Sequence, residues 1–145
     1  MALFNGINIS SSGLTAQRLR MDVISNNIAN VNTTRTSDGG PYRRKMPVFA
    51  ARLKKEMSNS NNLSSRETNI GNGVEVSEIK RSNQQPKLMY KPNHPDADEN
   101  GYVQMPNINI VSEMTDMISA SRAYEANVTA VNTSKEMVKS ALQIG

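Results

Sequence analysis

A chain of 145 residues is long enough for about one domain, yet only 37% of it is hydrophobic and 4% aromatic, with nine Met and no Trp, which leaves little for one large core. The absence of Cys excludes a disulfide framework, a thiolate zinc site, an iron–sulfur cluster and a cysteine nucleophile. No stretch approaches the ~20 apolar residues that span a bilayer. The N-terminal segment lacks the basic start and apolar run of a secretory signal, so any export is expected to proceed without one.

The net charge of +4 hides two blocks. Arg35, Arg43, Arg44, Lys45, Arg52, Lys54 and Lys55 stand against Asp38 and Glu56, a local +5. Asp96, Asp98, Glu99, Glu113 and Asp116 lie in a stretch without Lys or Arg, a local −5. Nucleic-acid binding would want aromatics interleaved with the basic block, and only Tyr42 and Phe49 are there. Docking of one copy's basic block on another's acidic block fits the pattern better.

In chain order, the first element is a helix within residues 1–34. Leu3, Ile7, Leu14, Met21, Ile24 and Ile28 recur at heptad spacing and predict a seam. A second line, Ile9, Ala16, Leu19 and Val23, lies beside it. Asn and Thr crowd residues 25–34 and compete for backbone hydrogen bonds, which predicts the helix end there.

Residues 35–107 read as a connector. Gly39-Gly40-Pro41 marks a turn and Met46–Phe49 an extended piece. Residues 56–73 are rich in Ser, Asn and Gly and predict a mobile loop. Val74–Ile79 alternates apolar and polar like a half-buried strand. Pro86, Pro92 and Pro95 break the remainder of the connector into short extended pieces.

Residues 108–145 hold a longer helix, with Asn107 or Asn109 as its cap. Ile110, Met117, Tyr124, Val131 and Val138 form one seam set, and Met114, Val128 and Leu142 the other. The fold expected is mainly α with a small β-containing connector, the two terminal helices paired as an antiparallel coiled coil. A two-helix hairpin covers one side of each helix, so Ala16, Leu19, Val23, Ala120, Ala123 and Ala130 are assigned to packing between subunits.

Catalytic signals are sparse. His94 is the only histidine, and with Asp96, Asp98 and Glu99 it suggests an oxygen-rich metal cluster, but the later bidentate Glu of a calcium loop is missing. No phosphate-cradling glycine motif and no Gly-x-Ser-x-Gly elbow occurs. The expectation is a protein without enzymatic activity, cofactor, metal or small-molecule substrate.

The run Ser12–Met21 continuing through Ser25-Asn26-Asn27-Ile28-Ala29-Asn30-Val31-Asn32-Thr33-Thr34 resembles the N-terminal signature of the bacterial flagellar rod and hook axial proteins. Pro41–Lys45, Gly101–Asn107 and Ser119–Val128 are similar to its proximal rod members. The resemblance places the family motif on Ser25, Asn26, Asn27, Ala29, Asn30 and Thr33. It implies a structural subunit of the basal-body proximal rod in the cell envelope, periplasmic where an outer membrane is present. Such a subunit is exported by the flagellar type III apparatus and self-assembles through its terminal helices into a tube that transmits torque. The partners implied are further copies, neighbouring proximal and distal rod subunits and the rod-to-ring junction protein, with no nucleic acid and no membrane span. The competing expectation is a coiled-coil adaptor or secreted interaction protein that forms no polymer.

Overall fold

The structure, a computed structural model, describes residues 2–52 and 71–144, with side chains for 5–52 and 71–143. The side chain of Leu3 and the part of the expected mobile loop at residues 56–70 lie outside the described residues. Two long helices, α1 (Ala2–Ala29) and α2 (Ile110–Ile144), flank four strands: β1 (Lys45–Ala51), β2 (Val74–Arg81), β3 (Lys87–Tyr90) and β4 (Tyr102–Met105). At 1.5 Å per residue the helices are about 42 and about 52 Å long. No described helix is long and apolar enough to cross a membrane.

α1 ends where the Asn-rich stretch takes over the backbone: the side-chain amide of Asn30 and its own N–H both donate to Asn26 O, and the Thr33 N–H donates to Asn30 O. α2 is capped by Asn109, whose Oδ1 accepts from the Val111 N–H at 3.0 Å, so of the two candidate caps the second is used. The helices run in opposite directions side by side. Gly13 lies against Asn127, Arg20 bonds Asp116 and Asn27 bonds Glu113.

The connector carries more strand than one half-buried piece. β1 and β2 form one antiparallel ladder with a bulge between Val48 and Phe49; β3 and β4 form a second, separate one. Two-stranded ladders are marginal alone, and each is tied to other parts of the chain. Ser12 Oγ of α1 accepts the Val74 N–H at 3.0 Å. Gly73 makes the close approach possible: its φ is +101°, and a Cβ there would collide with Ser12 Oγ. On β4, Val103 and Met105 are buried while Tyr102 packs edge-to-face on Tyr90 with centroids 5.4 Å apart.

The buried apolar set is small and spread out: Ala16, Val23, Ile24, Val103, Met105, Ile108 and Ala120. Low aromatic content is met here by thin layers between helices and hairpins, not by one core.

Candidate functional site

On α2, the residues that are not exposed include Glu113, Met117, Ala120, Tyr124, Asn127, Val131, Ser134 and Val138, spaced alternately four and three apart, and beside them Asp116, Ser121, Ala123 and Val128. The set Met117, Tyr124, Val131 and Val138 therefore lines the chain's own interior, but its companion set is displaced by one residue from Met114 and Val128. Ile110, Met114 and Leu142, placed in the seam by periodicity, are 44%, 55% and 77% exposed. Val128 is half-buried. The reason is chemical: the companion positions are Glu113, Ala120, Asn127 and Ser134, polar or small, which a search for apolar periodicity passes over.

On α1, Ile24 is buried and Ile7, Leu14, Met21 and Ile28 are half-buried. Contact with α2 runs through Gly13, Arg20 and Asn27, at seven-residue intervals. A Cβ at Gly13 would sit 3.0 Å from the Asn127 amide, so glycine, costly inside a helix, lets the two backbones close. The second line on α1 meets the β1–β2 hairpin of the same chain: Ala16 and Leu19 line a groove against Val74, Glu75 and Val76. Of the six residues assigned to packing between subunits, Ala16, Val23 and Ala120 are 3%, 5% and 0% exposed within the single chain, a correction that follows from the chain's own hairpin and facing helix already covering them. Leu19 and Ala123 are half-buried and Ala130 is exposed.

The most constrained group of side chains sits where α1, α2 and β1 converge. Asn27 and Glu113 are each 1% exposed. The Asn27 amide nitrogen donates to Lys45 O at 2.8 Å and to Glu113 Oε2 at 3.0 Å. Its Oδ1 accepts from the Lys45 N–H at 2.9 Å and from Tyr42 OH at 3.2 Å. All four hydrogen-bonding positions of the amide are used. Toward Lys45 it acts as a third strand's peptide group, bonding both backbone atoms on the edge of β1 that β2 does not occupy.

Glu113 is compensated by Arg44 Nε, and the same guanidinium reaches Asp116 at 3.5 Å. Arg20 reaches the other Asp116 oxygen at 3.2 Å. A buried carboxylate is tolerated only with such partners. Burial, then the negative charge of Glu113, raise the Tyr42 pKa above the ordinary 10.0, with Arg81 opposing.

These pairs also locate the two charge blocks. Arg44 of the basic block bonds Glu113 and Asp116 of the acidic block, and Arg35 approaches Asp96 at 4.0 Å, all within one chain. These pairs join part of the basic block to part of the acidic block within the chain itself. The His94 cluster is likewise local: its Nδ1 accepts the Asp96 N–H at 3.1 Å, and Asp96 accepts from Thr34 Oγ1 at 2.7 Å. Among the described residues no group of three acidic or histidine side chains is placed to hold a metal ion.

Of the motif residues, Asn27 is buried, Asn30 and Thr33 are half-buried and bonded to each other at 3.1 Å, and Ser25, Asn26 and Ala29 are exposed. Sequence reasoning placed Asn27 in a motif without assigning it a partner, and missed Arg44 and Glu113. The one available signal was a lone acidic residue in the first turn of α2.

What the chain leaves uncovered is equally uneven. Val111, Met114 and Ile118 are 72%, 55% and 55% exposed and succeed one another at three- and four-residue spacing, a stripe on the outer face of α2.

Two family models match. One, described as a flagella basal body rod protein, covers residues 7–35; the other, the C-terminal region of flagellar basal body rod FlgEFG proteins, covers residues 99–144. Among curated relatives, the flagellar basal-body rod protein FlgC of Borreliella burgdorferi is 55% identical over 99% of this chain and 98% of its own length. FlgC of Bacillus subtilis is 46% identical over 100% and 99%, and FlgC of an Escherichia coli strain 39% over the same shares.

Proposed function

This chain belongs to the FlgC family of flagellar basal-body rod proteins, structural components of the basal body in the cell envelope, and from that premise we propose how its parts serve a rod. It is a proximal rod subunit, exported by the flagellar type III apparatus and assembled with further copies, neighbouring rod subunits and the rod-to-ring junction protein. The terminal parts, residues 1–34 and 108–145, form the helical core, paired as an antiparallel coiled coil. The connector, residues 35–107, forms the outer part. Alternating four- and three-residue spacing of the inward positions on α2 supports the coiled coil.

The observation that carries assembly is the uncovered stripe Val111, Met114 and Ile118. Apolar side chains at helical spacing with no partner in their own chain fit a subunit that completes its burial against neighbours. Open tubular polymers need such non-self-closing surfaces. A rod of this kind transmits torque through its packed helices.

The test is a charge in the stripe. Met114→Asp together with Ile118→Asp touches neither the polar cluster nor the inward positions of α2. The expected result is a protein that is made and exported while cells build no rod and do not swim. Normal swimming in that variant would refute assembly through this face.

A further inference from the structure

We infer that the outer face of the β3–β4 ladder is the surface that covers the α2 stripe of a second copy; this rests on the reading above that a neighbour covers that stripe. Among the described elements, β3 and β4 pair only with each other and approach neither a helix nor the β1–β2 ladder. Alternation puts Lys87, Met89, Val103 and Met105 on one face and Leu88, Tyr90, Tyr102 and Gln104 on the other. Val103 and Met105 are buried within their own chain. Leu88, Tyr90 and Tyr102 are 65%, 66% and 45% exposed, so two of the chain's four tyrosines stand in solvent on one small surface. A two-stranded ladder in water needs a helix or further strands against its apolar side chains, and the outer face has neither.

The exposed rings are nonetheless held in place. Tyr102 packs edge-to-face on Tyr90, and Tyr90 lies so close over Gly101 that a Cβ there would sit 2.9 Å from its ring. A bulky side chain fixed before it binds loses little entropy on docking, and tyrosine is among the residues that anchor interfaces. One helix face of the chain matches this surface. α1 turns Ser11, Thr15, Arg18, Asp22 and Ser25 outward, whereas α2 turns Val111, Met114 and Ile118 outward. From Val111 to Ile118 is about 10 Å of helix, the length of the ladder.

Charges at the ends give the contact a direction. Beyond Tyr90 the tip of the ladder carries exposed Asp98 and Glu99 against Lys91, and beyond Leu88 the base carries Lys87. The stripe begins at a helix N-terminus, which is partly positive, and its line runs on to exposed Glu125, with Arg122 to one side. Val111 therefore lies toward the acidic tip and Glu125 toward Lys87. Because stripe and ladder are different surfaces, each copy presents one to each of two neighbours, the head-to-tail contact of an open polymer. Taking about 200 Å² for a large side chain in the open, each face buries about 300 Å². A stable pair buries about 800 Å² per partner, so the contact holds as one of several in an assembled rod and not between two copies in dilute solution.

The chain has no cysteine, so Leu88→Cys with Ile118→Cys, both of which keep a small apolar side chain, reports the contact without background from the chain itself. In basal bodies isolated from cells that make this variant, a short bismaleimide is expected to give a series of bands at two, three and more times the monomer mass, because each copy joins one neighbour through position 88 and another through position 118. Each single variant is expected to stay monomeric. Gln104→Cys with Thr115→Cys, at exposed polar sites beside the same side chains, reads the contact again if the first pair does not assemble. Monomer alone from assembled double variants would overturn the proposal. So would dimers from either single variant, which would make that face self-paired. A bulky polyethylene-glycol maleimide then separates the two readings: Ile118→Cys shielded from it in intact basal bodies leaves the stripe covered by something other than the ladder, whereas Ile118→Cys that reacts removes both readings.

Discussion

Asn27→Ala removes an amide that satisfies four groups at once, and the structure says which of them suffer. Lys45 and Tyr42 are half-buried, so water replaces much of what their N–H, C=O and OH lose. Glu113, at 1% exposure, has no such replacement and keeps only Arg44. One orphaned buried acceptor, at about 1–2 kcal/mol, plus partial loss at the three half-buried groups gives a destabilisation of about 2–3 kcal/mol. Asn27→Asp should be worse, at about 3–5 kcal/mol near neutral pH, because it sets a second carboxylate against Glu113 and removes both donors. Urea unfolding of the full-length chain monitored by far-ultraviolet circular dichroism measures both, provided that the slope of free energy on urea is unchanged. In a chain of this size the Ala variant should also melt about 5–10 °C lower. An Ala variant within about 0.5 kcal/mol of the parent, or an Asp variant no worse than Ala, would refute the account of this amide as the centre of the cluster.

Two further outcomes come from local geometry. Gly73→Ala combines a positive φ with a collision on Ser12 Oγ, and is expected to cost about 1–3 kcal/mol and to speed amide exchange at Val74, whose N–H that hydroxyl accepts; unchanged protection would contradict the close approach. Tyr42 holds its proton to a higher pH when folded than the ordinary 10.0, through burial first and Glu113 second. A raised value of this kind contributes stability that is present below pH 10.0 and lost as pH rises through the folded value. Absorbance at 295 nm should show Tyr42 ionising above its free counterpart, and Tyr42→Phe should flatten the alkaline decline in stability; a decline unaltered by the substitution would contradict this.

The helices were legible because backbone periodicity is a local property. The set Met117, Tyr124, Val131 and Val138 derives from spacing alone, and the end of α1 and the cap at Asn109 or its neighbour from the Asn and Thr side chains that stand there. The companion set was not legible, since Met114 and Val128 compete with Glu113 and Asn127 for the seam and win on hydrophobicity. What turns Glu113 inward is Arg44, far away in sequence and brought close by β1. Hidden partners also explain Ala16 and Val23: an apolar line on a second face announces burial without saying whether a neighbour or the chain's own hairpin provides it. Charge blocks carry the same ambiguity, with Arg44 joining the basic block to Glu113 and Asp116 of the acidic one within one molecule.

Assembly turns on the outer stripe of α2 finding its cover in the completed rod. A density map of isolated basal bodies resolving this chain tests that directly. The expected map has α1 and α2 antiparallel within the helical core, with Val111, Met114 and Ile118 pressed against neighbouring subunits. A subunit seated in the rod with those three side chains facing solvent would contradict it.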